Sequence, residues 1–143
     1  MTDSLTPQQM FNQVWDHFVV QKKPAGADFT TSPIQCRFSK GCAVGILVPP
    51  EDRKEMDRIG AINSLLLLTE MLREHKALSE NTLAMLEQHP DFMRQLEQAH
   101  DLAVVTSIDY DGANDPQLPE RFTRQMKYQL TELAISHSLK VPE

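Results

Sequence analysis

The stretch Ile34-Gln35-Cys36-Arg37-Phe38-Ser39-Lys40-Gly41-Cys42-Ala43-Val44-Gly45-Ile46-Leu47-Val48-Pro49 decides the fold class to which the chain is assigned. Ile34 to Phe38 alternates apolar and polar side chains, the period of a half-buried strand. Ser39-Lys40-Gly41 supplies a turn, and Cys42 to Val48 is an apolar run broken only by Gly45 before Pro49-Pro50 stops it. This pattern predicts a β-hairpin with strands over Ile34–Phe38 and Cys42–Val48. A lone hairpin is marginal in water, so it must lie against helices. The expected fold is α+β and predominantly helical, with about four to five helices around one small β-hairpin.

The flanks supply those helices. On the N-terminal side, Thr6-Pro7-Gln8-Gln9 reads as a capping box, with a Thr cap, Pro at the first helical position and Gln three residues on. Phe11, Val14, Trp15 and Phe18 then share one helical face, and Pro24 and Gly26 end the helix near Lys23. Ala25 to Pro33 reads as a loop. On the C-terminal side, Glu51 to Arg58 mixes charge signs and is expected as a short helix with a solvated surface. Ile62, Leu65, Leu66, Met71 and Leu72 repeat at helical spacing up to about His75, and Leu65–Leu68 is apolar almost all round. Ser79 opens a further helix with Leu83 and Leu86 inward, interrupted at His89-Pro90-Asp91. Phe92, Met93, Leu96, Ala99, His100 and Ala103 form the next stripe. After a loop from Thr106 to Pro119, a last helix over Glu120–Ser138 turns Phe122, Met126, Leu130, Leu133 and Ala134 inward. No repeat or linker-like stretch divides the chain, so one domain over residues 1–143 is expected.

Composition narrows the function. Among 143 residues, 20 Asp and Glu outweigh 14 Lys and Arg for a net charge of −6, which argues against direct nucleic-acid binding as the main task. Hydrophobic residues at 41% against 24% charged support a packed core and argue against disorder. No apolar run approaches the roughly 20 residues of a membrane span. Met1-Thr2-Asp3-Ser4-Leu5 lacks the basic start and apolar stretch of a secretory signal, so a cytoplasmic protein is expected. The two cysteines do not make a disulfide scaffold.

Several constellations carry potential chemistry. Cys36 and Cys42, facing across the predicted hairpin, could form half of a zinc site completed by two of His17, His75, His89, His100 and His137. Their spacing is wider than a zinc knuckle's, and two small buried thiols explain the pair as well. Cys42 could instead be a nucleophile with His100 as base and Asp101 as orienter, but neighbours on a helix point about 100° apart, which speaks against the last pair. A histidine at the core edge, bonding a backbone carbonyl, is the plainer role for His100. Asp109, Asp111 and Glu120 imitate positions one, three and twelve of a calcium loop, but Ala113 and Asn114 stand at positions five and six. A solvated acidic loop before a helix start accounts for these residues better. Glycine-rich phosphate loops, nucleophile elbows and His-Glu-x-x-His are absent.

The segment Cys36–Pro49 also resembles a family of small uncharacterised bacterial and phage proteins, in which an N-terminal helix precedes a Cys-aromatic strand, a turn and a Cys-Ala-Val-Gly strand ending in Pro. Gln95-Leu96-Glu97-Gln98-Ala99-His100-Asp101 is similar to that family's later Leu-x-x-x-His-Asp helix. Pro50 and a shorter turn between the cysteines depart from its pattern. The resemblance implies a hairpin fold and an accessory role in a phage or mobile element, and assigns no activity.

Two readings follow. The first is a non-enzymatic protein-binding module of bacterial or phage origin, without cofactor, acting on a host protein. It meets a basic surface through Asp109, Asp111, Asp115 and Glu120. A homodimer through the Leu65–Leu68 helix is a further expectation. The alternative is a small thiol- or metal-dependent enzyme using Cys36 and Cys42 with His100.

Overall fold

The computed structural model describes residues 5–28, 35–36, 40–59, 79–107 and 116–142. At Thr6 the reciprocal box is present: its hydroxyl accepts the Gln9 amide, and the Gln9 side chain accepts the Thr6 amide. This cap starts α1, Pro7–Trp15, which buries Met10, Phe11, Val14 and Trp15. The helix does not continue in α form to Lys23. Asp16–Val20 winds as a π-helical turn, the Gln21 amide donates to the Asp16 carbonyl, and Lys22 breaks the chain direction at φ 55°. Widening the helix by one residue is a local adjustment that leaves Phe18 fully buried.

The predicted hairpin is contradicted, and with it the α+β assignment. The fold is helical. Among the described residues, sheet is limited to β1 (Ala27–Asp28) and β2 (Gln35–Cys36), an antiparallel pair with Ala27 opposite Cys36. The run from Cys42 to Val48 forms no strand. It coils through residues 43–44 into a single 3-10 turn, Gly45–Leu47. Its donors are satisfied locally, Ile46 on the Cys42 carbonyl, Leu47 on Val44 and Val48 on Gly45, while Gly41 enters the coil at φ 86°. Cys42, Ala43 and Val44 have no exposed surface, and Ile46 and Leu47 are half-buried, so successive side chains of this run face protein. A segment buried all round loses the alternation that separates strand from helix, which is why the apolar run was ambiguous. The resemblance to the bacterial and phage family falls with the Cys-aromatic and Cys-Ala-Val-Gly hairpin on which it rested. Arg37, Phe38 and Ser39 lie outside the described residues.

The charged stretch after Pro49 is helix α2, Pro50–Ile59. It is not merely a solvated surface, because Met56 and Asp52 are buried. Asp52 accepts the Ser79 hydroxyl at 2.7 Å, the Ser79 amide at 3.3 Å and the buried Thr82 hydroxyl, which ties α2 to the start of α3, Glu80–Gln88. His89 leaves helical geometry and Pro90 begins α4, Pro90–Ser107. The expected Ile62–His75 helix, with Leu65–Leu68, lies outside the described residues.

The last helix, α5, spans Leu118–His137 and ends at Ser138 in the left-handed region, with the Leu139 amide on the Ala134 carbonyl. Among the described residues helices α4 and α5 form the most extensive packing, and α1 and the π turn lie against α5. The predicted stripes face inward: Phe92, Met93, Leu96, Ala99, His100 and Ala103 on α4 and Phe122, Met126, Leu130 and Ala134 on α5 are buried, and Leu133 is half-buried. Phe18, Phe122 and His100 meet in the middle, with ring centroids 5.5–5.7 Å apart. The tail returns to α1, where the Gln8 side-chain amide pairs with both backbone groups of Lys140. No helix among the described residues is long and apolar enough to cross a membrane.

Candidate metal centre

Glu97, His100 and Asp101 occupy helix positions i, i+3 and i+4 on α4, a spacing that gathers side chains on one face. Each offers a ligand atom within 4.8 Å of the others. His100 Nδ1 stands 3.1 Å from Asp101 Oδ1 and 3.5 Å from Glu97 Oε2. The sequence expectation that adjacent His100 and Asp101 point too far apart to act together is therefore corrected; side-chain reach overcomes the angular offset.

The environment is unusual for charged groups. His100 is fully buried, Glu97 is almost so, and the Asp101 side chain is one-third exposed (33%) and forms the solvent edge of the cluster. Glu97 Oε1 accepts the Val44 amide at 3.1 Å. Glu97 Oε2 is buried and has no hydrogen-bond partner. Burial, and after it the neighbouring Asp101 carboxylate, push the Glu97 carboxyl well above the usual carboxylate range. Two carboxyl groups in this space therefore call for a proton or a cation.

Cys42 adjoins this cluster, and its thiol is hydrogen-bonded to Glu97. Burial, followed by the Glu97 charge, pushes that thiol well above its ordinary value. A nucleophilic thiolate needs the opposite surroundings, which speaks against Cys42 as a nucleophile.

His100 Nε2 accepts the Gly26 amide at 3.0 Å in a buried hydrogen bond. The backbone partner is thus a donor where the sequence suggested a carbonyl. A ring nitrogen that accepts carries no proton, which places the imidazole proton on Nδ1, facing the two carboxylates.

The other predicted residues are dispersed or outside the described part. Cys36 lies in β2 and its side chain is not described; His75, Asp109, Asp111 and Asp115 are outside the described residues. Glu120 is exposed in the first turn of α5. His137 contacts the Gln95 side-chain oxygen and the Phe92 ring at the far end of α4 and α5. His17, on the π turn, packs edge-on against Phe18. Glu97 was missed by the sequence reading. Its signal was present as Glu97-Gln98-Ala99-His100, the Glu-x-x-His spacing with which helices present a carboxylate and an imidazole to one cation.

Compared with known proteins, the chain matches no family model, no curated protein and no solved structure.

Proposed function

We propose that this chain is a small metal-dependent enzyme whose divalent cation is held by Glu97, His100 and Asp101. The observation that carries the reading is Glu97 Oε2, a buried carboxylate oxygen that no donor reaches at hydrogen-bond distance, beside two other ligand atoms. Donor atoms bonded to one first-row cation at about 2.1 Å stand roughly 3.0–3.4 Å apart at octahedral to tetrahedral angles. The 3.1 Å separation from His100 Nδ1 to Asp101 Oδ1 falls in that range, and the 3.5 Å to Glu97 Oε2 lies just above it. One nitrogen and two carboxylate oxygens suit Zn²⁺, Mn²⁺ or Fe²⁺ and disfavour soft Cu⁺.

Three protein ligands leave room for water, and Asp101 sets that opening at the surface. A cation so held supplies Lewis acidity and an activated water for hydrolytic chemistry. Glu97, anchored by the Val44 amide, fixes the inner side of the site. The Phe18 and Phe122 rings around His100 keep that side dry.

Equilibrium dialysis of chelator-treated protein against Zn²⁺ and Mn²⁺ tests the site. The expected result is one equivalent bound, reduced at least tenfold by Glu97→Gln and by His100→Asn. Water-proton relaxation of the Mn²⁺ form tests the open position: enhanced relaxation shows exchanging water on the ion, whereas none makes the site purely structural. Failure to bind either ion removes the reading.

A further inference from the structure

We infer that the cation and the Gly26–His100 hydrogen bond exclude one another, so that filling the centre releases the segment 24–28 from α4. This inference rests on the metal reading above and concerns how that same site is regulated.

The imidazole is used twice. Nε2 accepts the Gly26 amide at 3.0 Å, and the protonated Nδ1 faces Asp101 Oδ1 at 3.1 Å. A metal at Nδ1 needs the lone pair that the proton now occupies. The proton must leave Nδ1, and a neutral ring bound through Nδ1 carries its proton on Nε2. The ring gains and loses one proton through water, with no net change. After the exchange, Nε2 is a donor aimed at another donor, the Gly26 N–H, across a distance set for a hydrogen bond. Gly26 then has no acceptor in a buried place, a condition that folded backbones avoid.

The segment has one direction in which to move. Gly26 is pressed on the backbone of the Gly41–Cys42 coil so closely that a Cβ on it would lie 2.1 Å from the Cys42 nitrogen. It cannot slide inward past that coil. Release therefore moves Gly26 away from the coil, and the strain passes to β1, Ala27–Asp28, and its pairing with Gln35–Cys36. Cys42, which has no exposed surface beneath this crossing, loses part of its cover. The site thus has two exclusive arrangements: His100 holding the Gly26 amide, or His100 holding the cation.

Amide hydrogen exchange of Gly26, read by NMR on ¹⁵N-labelled protein with and without one equivalent of Zn²⁺, tests this. Zinc uptake is measured in the same samples. The expected result is a Gly26 exchange rate at least tenfold faster with zinc in the wild type, and a slow, zinc-independent rate in Glu97→Gln. Stoichiometric zinc uptake with unchanged Gly26 exchange overturns the switch while leaving the metal site standing. Acceleration by zinc in a Glu97→Gln protein that binds no zinc also overturns it, because the effect then bypasses the centre. Absence of uptake by the wild type removes the metal reading and the switch together.

Discussion

A Cβ on Gly26 would stand 2.1 Å from the Cys42 nitrogen, 2.4 Å from the Gly41 carbonyl carbon and 2.6 Å from the Cys42 Cα, all backbone atoms that cannot rotate aside. Gly26→Ala is therefore expected to lower stability by about 3 kcal/mol or more, the upper range of overpacking, although it preserves the amide that His100 accepts. Urea unfolding checks this; a change within a few tenths of a kcal/mol would mean that the two chain segments are not in contact. At His17 the prediction concerns pH. Burial lowers its pKa first, then Lys23 and Arg53, with Asp16 opposing and His100 adding a little. The unfolded chain then holds more protons on this histidine between the depressed folded value and about 6.5. Stability accordingly rises with pH through that window and is lost as pH falls below about 6.5. His17→Gln should flatten that part of the profile, and an NMR titration should place His17 below an exposed histidine. The residue scale is also where the site was half hidden. His100 and Asp101 stood out by type, whereas Glu97 looked like one more solvated acid on a polar helix position, and nothing in the chain's periodicity shows that Val44 would reach it from 53 residues away.

Elements with a mark at each end were legible. The Thr6 box, the stripe on α4 and the stripe on α5 are local patterns; the box forms as read, and the stripes are buried apart from a half-buried Leu133. The hairpin failed at its second strand, Cys42–Val48, whose evidence was an apolar run without alternation, and burial produces the same run in a coil. The π turn after α1 had no mark either, since Asp16–Val20 keeps the composition of an ordinary helix. A third case lies between these. Ser79 was read as a helix start, and it does cap α3, but the joint depends on Asp52 from a stretch that composition assigned to solvent. Asp52→Ala removes the acceptor of three hydrogen bonds and leaves the buried Thr82 hydroxyl without the acceptor for its proton. Hydrogen bonds to a charged acceptor contribute about 1.5–3 kcal/mol, so a loss of roughly 3 kcal/mol is expected, with early amide exchange in α3. Uniform loss of protection across all helices, with α3 no faster than α1, would show that Asp52 supports the whole core and not this joint.

At the scale of the molecule, the centre is placed where segments distant in sequence converge: Gly26 from the crossing after the π turn, Cys42 and Val44 from the coil, and Glu97, His100 and Asp101 from α4. None of these groups is assembled in the unfolded chain, so a cation bound there favours the folded state by mass action. At free zinc one hundred times the dissociation constant, the gain is about 2.7 kcal/mol, which for a chain of this size raises the melting temperature by roughly 8 °C. The apparent affinity already includes the loss of the Gly26–His100 bond, so the size of the shift follows from the measured constant alone. Glu97→Gln separates two effects that point in opposite directions. Without zinc it replaces a buried carboxyl that needs a proton by an amide of the same shape, and should leave stability near or above the wild-type value. With zinc it should show no upward shift. Thermal unfolding of both proteins across a zinc series reads both effects. An equal shift in the two would place the cation away from α4, and a large destabilisation of the zinc-free variant would make Glu97 a structural hydrogen-bonding group held by Val44.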